Sequence, residues 1–198
     1  MPKIQLSENE WDKLDLFLRR FEQLERTRFY SNPELKNIQY KIKKGEIVDK
    51  GFQIRFETKV PDEETIKSFL LSFRVFYMEG EHTNFYSICN LLYKKILDKK
   101  VRNDLVTIRS NYTKALNTSF ISINFLGKSY LPKDIVDLWF NAEYFHTDIE
   151  KVKELDKIVI SPGKSLFFYL LIDAVITLTN QISMLKEIIV WATSDSTM

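Results

Sequence analysis

The stretch LFFYLLIDAVITLTNQISMLKEII, residues 166–189, decides the fold that the sequence predicts. Its apolar residues occur at nearly every angle around a helix, and a helix of that kind is usually surrounded by other elements. The most apolar part, Leu166 to Thr179, is too short for a bilayer span and carries Asp173 at its middle. We therefore expect a buried helix from about 163 to 191 and no membrane contact.

Helical periodicity also recurs upstream of this segment. Ser7 and Glu10 form a capping box, and apolar residues then follow at three- and four-residue steps, which predicts a helix over 8–30. The same signals predict further helices from Pro61 onward and over 84–97, 100–117 and 148–159. We expect these helices to form a bundle around the C-terminal helix.

Two segments alternate with the period of a β-strand. Apolar and polar residues alternate over 37–43 and 51–58, with Gly45 and Gly51 flanking the connection, which is typical of a hairpin. Residues 120–126 alternate in the same way and are a candidate third strand. The predicted fold class is therefore mainly α: a single domain, residues 1–198, with a small antiparallel β-hairpin inserted at about 37–58.

The composition excludes some classes of protein. A hydrophobic fraction of 44% excludes a disordered chain, and 29 basic against 27 acidic residues give a net charge of only +2. That balance offers no global electrostatic support for nucleic-acid binding. The single cysteine, Cys89, and an N-terminus without an apolar signal region indicate a soluble, cytoplasmic protein, with the thiol buried and inert.

Residues 157–171, KIVISPGKSLFFYLL, resemble a phosphate loop at first sight. A Walker A loop needs a glycine five positions before Gly163, and Ile158 stands there instead. Capping chemistry explains the segment: Ser161 suits an N-cap, and Pro162 suits the first helical position. We therefore expect a helix start here and no nucleotide site.

Both histidines of the chain follow a glutamate by three residues, as Glu79–His82 and Glu143–His146. On helices of a bundle, two Glu-x-x-His pairs are ligands of ferritin-like di-metal carboxylate sites. These four residues therefore define the enzymatic alternative, with a divalent transition metal as cofactor. Gly80 interrupts the first pair, so Glu79 and His82 need not share a helix face.

The sequence lacks the motifs of two other classes of enzyme. The HEPN ribonucleases are small helical bundles with an Arg-x(4–6)-His motif, but Arg74 and His82 have seven residues between them. No Gly-x-Ser-x-Gly elbow is present in the sequence.

Two surfaces are candidates for binding. A basic corner, which supports the nucleic-acid alternative, comprises Lys94, Lys95, Lys99, Lys100 and Arg102. The segment 137–148 holds more bulky groups than one helix easily hides, which favours a partner or ligand surface formed by Trp139, Phe140, Tyr144 and His146. We expect a non-enzymatic binding or protein-interaction module, without a cofactor, whose partner is another protein or a second copy.

Overall fold

The computed structural model describes residues 2–25, 47–48, 53–54, 73, 76–77, 79–116, 123–125, 128–130 and 166–194, with side chains for 2–25, 73, 76–77, 79–116 and 174–194. Its elements in chain order are α1 (Glu8–Glu25), β1 (Ile47–Val48), β2 (Gln53–Ile54), α2 (Glu81–Lys95), α3 (Lys99–Leu116), β3 (Ile123–Phe125), β4 (Lys128–Tyr130) and α4 (Leu166–Thr193). This part of the chain is mainly α-helical, as the sequence predicts.

Helix α1 begins where the capping box places it. The backbone N–H of Ser7 donates to Oε2 of Glu10 at 2.8 Å, and the Ser7 carbonyl accepts from the N–H of Trp11 at 2.9 Å. One stripe of the helix is buried, formed by Leu14, Phe17, Phe21 and Leu24. The predicted start is confirmed, and so is most of the apolar face, although Trp11 at its beginning is 42% exposed. Residues 26–30 of the predicted helix lie outside the described residues.

Helix α2 begins at Glu81, three residues before the predicted start at 84. Gly80 lies at its N-cap with φ +80°, a left-handed conformation that glycine adopts without a side-chain clash. Its N–H donates to the carbonyl of Tyr77 at 3.1 Å, and its carbonyl accepts from Thr83 at 2.9 Å. The glycine therefore allows the chain to turn directly into α2, and His82 is the second residue of that helix.

Asp98 separates α2 from α3 and caps the second of them. Its Oδ1 accepts from the N–H of Val101 at 3.0 Å, and its carbonyl accepts from the N–H of Arg102. Because these bonds satisfy amides of the first turn of α3, the helix begins at Lys99, one residue before the predicted start.

Helix α4 contacts each of the other described helices. From Ala174 to Ser183, eight of its ten side chains are buried, so this half has almost no solvent-facing side. Met184 and Val190 are exposed, so one side of the last turns of α4 faces solvent. No helix among the described residues has the length and apolarity needed to cross a membrane.

The described core joins all four helices. Phe76 meets the rings of Phe17 and Phe21 edge-on at 6.1 and 6.4 Å. Phe85 of α2 stacks on Tyr112 of α3 at 3.9 Å. The members of α4 that are fully buried are Val175, Leu178, Ile182, Leu185, Ile189 and Ala192.

The strands form two separate antiparallel pairs. Ile47–Val48 pairs with Gln53–Ile54, which overlaps only the second strand of the predicted hairpin. Residues 37–43 lie outside the described residues. The candidate third strand is present as β3, but its described partner is β4, at Lys128–Tyr130, which we did not predict. Its union with the hairpin stays a prediction.

Candidate functional site

Helices α1 and α2 run antiparallel and are joined by an ion pair at each end. Nζ of Lys95 lies 2.6 Å from Oε2 of Glu10, and Nε of Arg20 lies 3.0 Å from Oε2 of Glu79. The chain therefore places residue 10 beside residue 95, and residue 20 beside residue 79. These two pairs link the helices, which also share one hydrophobic core.

The first of these pairs is reinforced by the backbone. Lys95 also donates from Nζ to the carbonyl of Gln5 at 2.9 Å, and Glu10 also accepts from the Ser7 N–H. The hydrogen bond from Lys95, followed by that from Ser7, lowers the pKa of Glu10 to about 2. Glu10 is therefore a carboxylate that both caps α1 and holds α2.

An open groove of about 460 Å³ lies between the two helices. On α1 it is lined by Glu10, Lys13 and Leu16, and the α2 residues that line it are Asn84, Ser87, Ile88, Asn90, Leu91, Lys94 and Lys95. Leu16 is 51% exposed, although its neighbours Leu14 and Phe17 are fully buried. We call this surface the α1–α2 groove.

The charge in the α1–α2 groove is unbalanced. Its lining has three lysines and one glutamate, and that glutamate is the one paired with Lys95. Neither Lys13 nor Lys94 has an ion-pair partner within the described ranges, and both are exposed. The groove therefore presents an apolar strip beside two uncompensated positive charges.

In the basic corner, two side chains are engaged by other residues and three are exposed. Lys95 is held by Glu10, and the Arg102 guanidinium lies over the ring of Tyr93 at 4.3 Å. Lys94, Lys99 and Lys100 are exposed at the turn between α2 and α3, where Leu97 is 91% exposed. The five residues lie near one corner, but only three of them present side chains that are exposed.

The first Glu-x-x-His pair does not share a helix. Glu79 precedes α2 and is bound to Arg20, whereas His82 is the second residue of α2. The imidazole of His82 stacks on Tyr77 at 4.2 Å, and its Nδ1 donates to the Tyr77 carbonyl at 3.1 Å. In the neutral ring, Nε2 then accepts from the Thr83 hydroxyl at 3.3 Å. Both candidate ligands are therefore engaged with protein groups.

Between this pair lies a buried acid that the sequence did not single out. Glu81 is only 2% exposed, and its Oε2 accepts from Nδ2 of Asn84 at 3.2 Å. Desolvation raises the pKa of Glu81 above its usual range, against the opposing effect of the Asn84 hydrogen bond. Acidic residues are common in the first turn of a helix, where they are usually exposed, so the sequence does not indicate that Glu81 is buried.

Cys89 is buried, as predicted. Desolvation raises the pKa of its thiol to about 12, so the thiolate is not available near neutral pH. The thiol lies at a small cavity of about 190 Å³ whose other lining residues are Tyr93, Leu105, Val106 and Arg109. Arg109 is bound there to Oδ1 of Asn90 at 2.7 Å.

Several predicted site residues lie outside the described residues. They comprise the second pair, Glu143 and His146, the aromatic surface of Trp139, Phe140 and Tyr144, and the whole of the segment 157–165. Whether the two Glu-x-x-His pairs meet therefore stays a prediction. Among the residues that the structure does describe, no group of three or more His, Cys, Asp or Glu side chains could hold a metal ion.

The α1–α2 groove was missed by the sequence reasoning, although part of its signal is visible. Asn84, Ser87, Ile88, Leu91 and Lys95 follow one another at helical steps of three, one, three and four residues. Such a stripe shows that one face of α2 is continuous, but not which helix lies beside it. The sequence matches no family model, no curated protein and no solved structure.

Proposed function

We propose that the protein is a non-enzymatic interaction module that recognises another protein through the α1–α2 groove. The observation that carries the proposal is an open apolar strip between two helices that share one hydrophobic core and are linked by two ion pairs. Because the shared core forms without a partner, the groove loses little conformational freedom on binding, which favours recognition. Leu16 is 51% exposed, so a partner that covers it would remove apolar surface from water, which favours binding.

The rest of the proposed architecture is a single cytoplasmic domain of residues 1–198, a helical bundle around α4 with a β-hairpin insertion. Contacts of α4 with α1, α2 and α3 support the bundle. A single unpaired and buried cysteine is compatible with a reducing compartment. The aromatic segment 137–148 is a second candidate contact surface of the same module.

Site-specific photocrosslinking tests the proposal. A photoreactive phenylalanine analogue replaces Leu16 in the groove or, as a matched control, the exposed Leu97 outside it. In cells that naturally make the protein, we expect a light-dependent adduct with another protein from position 16 and not from position 97. Equal labelling at both positions, or none at 16, contradicts recognition through this groove.

The metal-enzyme alternative would use Glu79 and His82, which contact Arg20 and the Tyr77 carbonyl in the structure, together with Glu143 and His146. Elemental analysis of the purified full chain separates it from the interaction module. Stoichiometric iron, manganese or zinc that is lost from a folded His146→Ala protein supports the enzyme. The nucleic-acid alternative uses the basic corner, of which Lys94, Lys99 and Lys100 are exposed, and it predicts binding that weakens steeply with salt.

A further inference from the structure

The groove-facing side of α2 is one continuous stripe. Asn84, Ser87, Ile88, Leu91 and Lys95 succeed one another along it, over a length of about 17 Å at the helical rise per residue. On α1, Lys13 and Leu16 are three residues apart and so lie on one side of that helix. A surface walled by two antiparallel helices is suited to a third helix lying along it.

The middle of this surface is apolar. Ile88 is 3% exposed and forms the floor, Leu91 is half-buried, and Leu16 stands at the edge. A volume of about 460 Å³ holds several side chains but not a complete helix. An occupant therefore lies on the groove and inserts one apolar edge, as an amphipathic helix does with residues at three- and four-residue steps.

The charges of Lys13 and Lys94 determine which polar residues are favoured on the bound helix. Glu10 and Lys95 neutralise each other, which leaves Lys13 on one wall and Lys94 near one end. A basic helix would meet like charges at both places, whereas carboxylates beside an apolar edge would be attracted. Building on the proposed function, we infer that the groove binds an acidic amphipathic helix of a partner protein.

Two designed peptides of about 18 residues test this inference. They share one leucine stripe and differ only in carrying glutamate or lysine beside it. By fluorescence anisotropy with the full chain, we expect the glutamate peptide to bind at least about tenfold more tightly than the lysine peptide. Raising the salt from about 50 to about 300 mM is expected to weaken the glutamate peptide.

Matched variants inside and outside the groove test whether the peptide binds there. Lys13→Glu is expected to weaken the glutamate peptide about tenfold, because it reverses a charge next to the partner's carboxylates. Lys114→Glu makes the same change in net charge on an exposed site of α3 and is expected to change binding less than about twofold. Leu16→Ser is expected to weaken binding, and Leu97→Ser is expected not to.

The outcomes separate this inference from the proposed function. Equal binding of both peptides, or a loss with Lys114→Glu equal to that with Lys13→Glu, overturns the acidic assignment. If position 16 still crosslinks to a protein, the interaction function stands. Dimerisation that Leu16→Ser abolishes would make a second copy the occupant, and groove-dependent binding of an oligonucleotide would make it nucleic acid; both overturn the inference.

Discussion

The ring of Tyr112 stacks on Phe85 with 3.9 Å between centroids, yet its hydroxyl has no hydrogen-bond partner within the described part of the protein. Tyr112 is fully buried, and desolvation raises the pKa of its hydroxyl well above the usual value. The aromatic contact therefore stabilises the α2–α3 pair, whereas the hydroxyl opposes it.

Tyr112→Phe should separate these two effects. The variant keeps the stacked ring and removes a buried group whose unmet hydrogen bond costs about 1–3 kcal/mol, so we expect unfolding free energy to rise by about 1 kcal/mol. Tyr112→Ala should lower it by about 3–5 kcal/mol. Urea unfolding measures both, with Tyr86→Phe as a control that loses a hydroxyl bonded to Thr113. A clear loss of stability in Tyr112→Phe would show that the hydroxyl has a partner.

Glu10 should make the protein more sensitive to acid. Its folded-state pKa of about 2 lies below the usual value of 4.5, so the unfolded chain takes up the proton first. The stability contributed by Glu10 is present above pH 4.5 and is lost as the pH falls toward 2. We expect Glu10→Gln to lower stability at neutral pH and to flatten the unfolding free energy in this window. Glu8→Gln, an exposed change of the same type, should leave the wild-type pH profile.

Glu81 should have the opposite pH dependence. Its pKa is raised in the folded state, so its contribution to stability is complete below pH 4.5 and falls as the pH rises through the folded-state pKa. Glu81→Gln keeps an oxygen that can accept from Asn84 and removes the buried charge. We expect higher stability at neutral pH and a weaker pH dependence, measured by urea unfolding between pH 4 and 8. A less stable Gln variant at neutral pH would contradict this account.

Gly80 should be sensitive to substitution for conformational reasons alone. Its φ is +80°, and a Cβ added there would meet nothing within 4 Å. Gly80→Ala should therefore lower unfolding free energy by about 1–2 kcal/mol, the cost of left-handed backbone for an L-residue. Gly80→Asn should recover part of this loss, since asparagine tolerates the conformation better. Equal losses for both variants would indicate a steric cause instead.

Local signals in the sequence located the helices better than the site. The capping box placed the start of α1 at Glu8, and periodicity identified its buried face. The sequence predicts the start of α2 three residues too late, because a glycine usually interrupts a helix, whereas Gly80 in its left-handed conformation precedes a helix that starts at the next residue. These features depend on neighbours within a few residues.

The groove depends on contacts between distant residues. Lys95 belongs to a run of basic residues, and the sequence placed it in a basic corner. Its actual partner, Glu10, is 85 residues away. Periodicity identifies the faces of α1 and α2 but not their pairing, so Leu16 and Leu91 could not be assigned to one surface. For the same reason, the burial of Glu81 could not be predicted.

During synthesis on the ribosome, α1 is made before the α4 residues that it contacts. Just before α1, the backbone N–H of Ile4 donates to the carbonyl of Ala192. In α1 itself, Glu25 accepts from Lys186, which is 161 residues away in sequence. Translation delivers α1 before α4, and bringing together residues so far apart in sequence carries a large chain-closure entropy cost. Until α4 has been synthesised, the apolar residues of α1 that pack against it are exposed to solvent in the nascent chain, and exposed apolar surface of this kind favours aggregation.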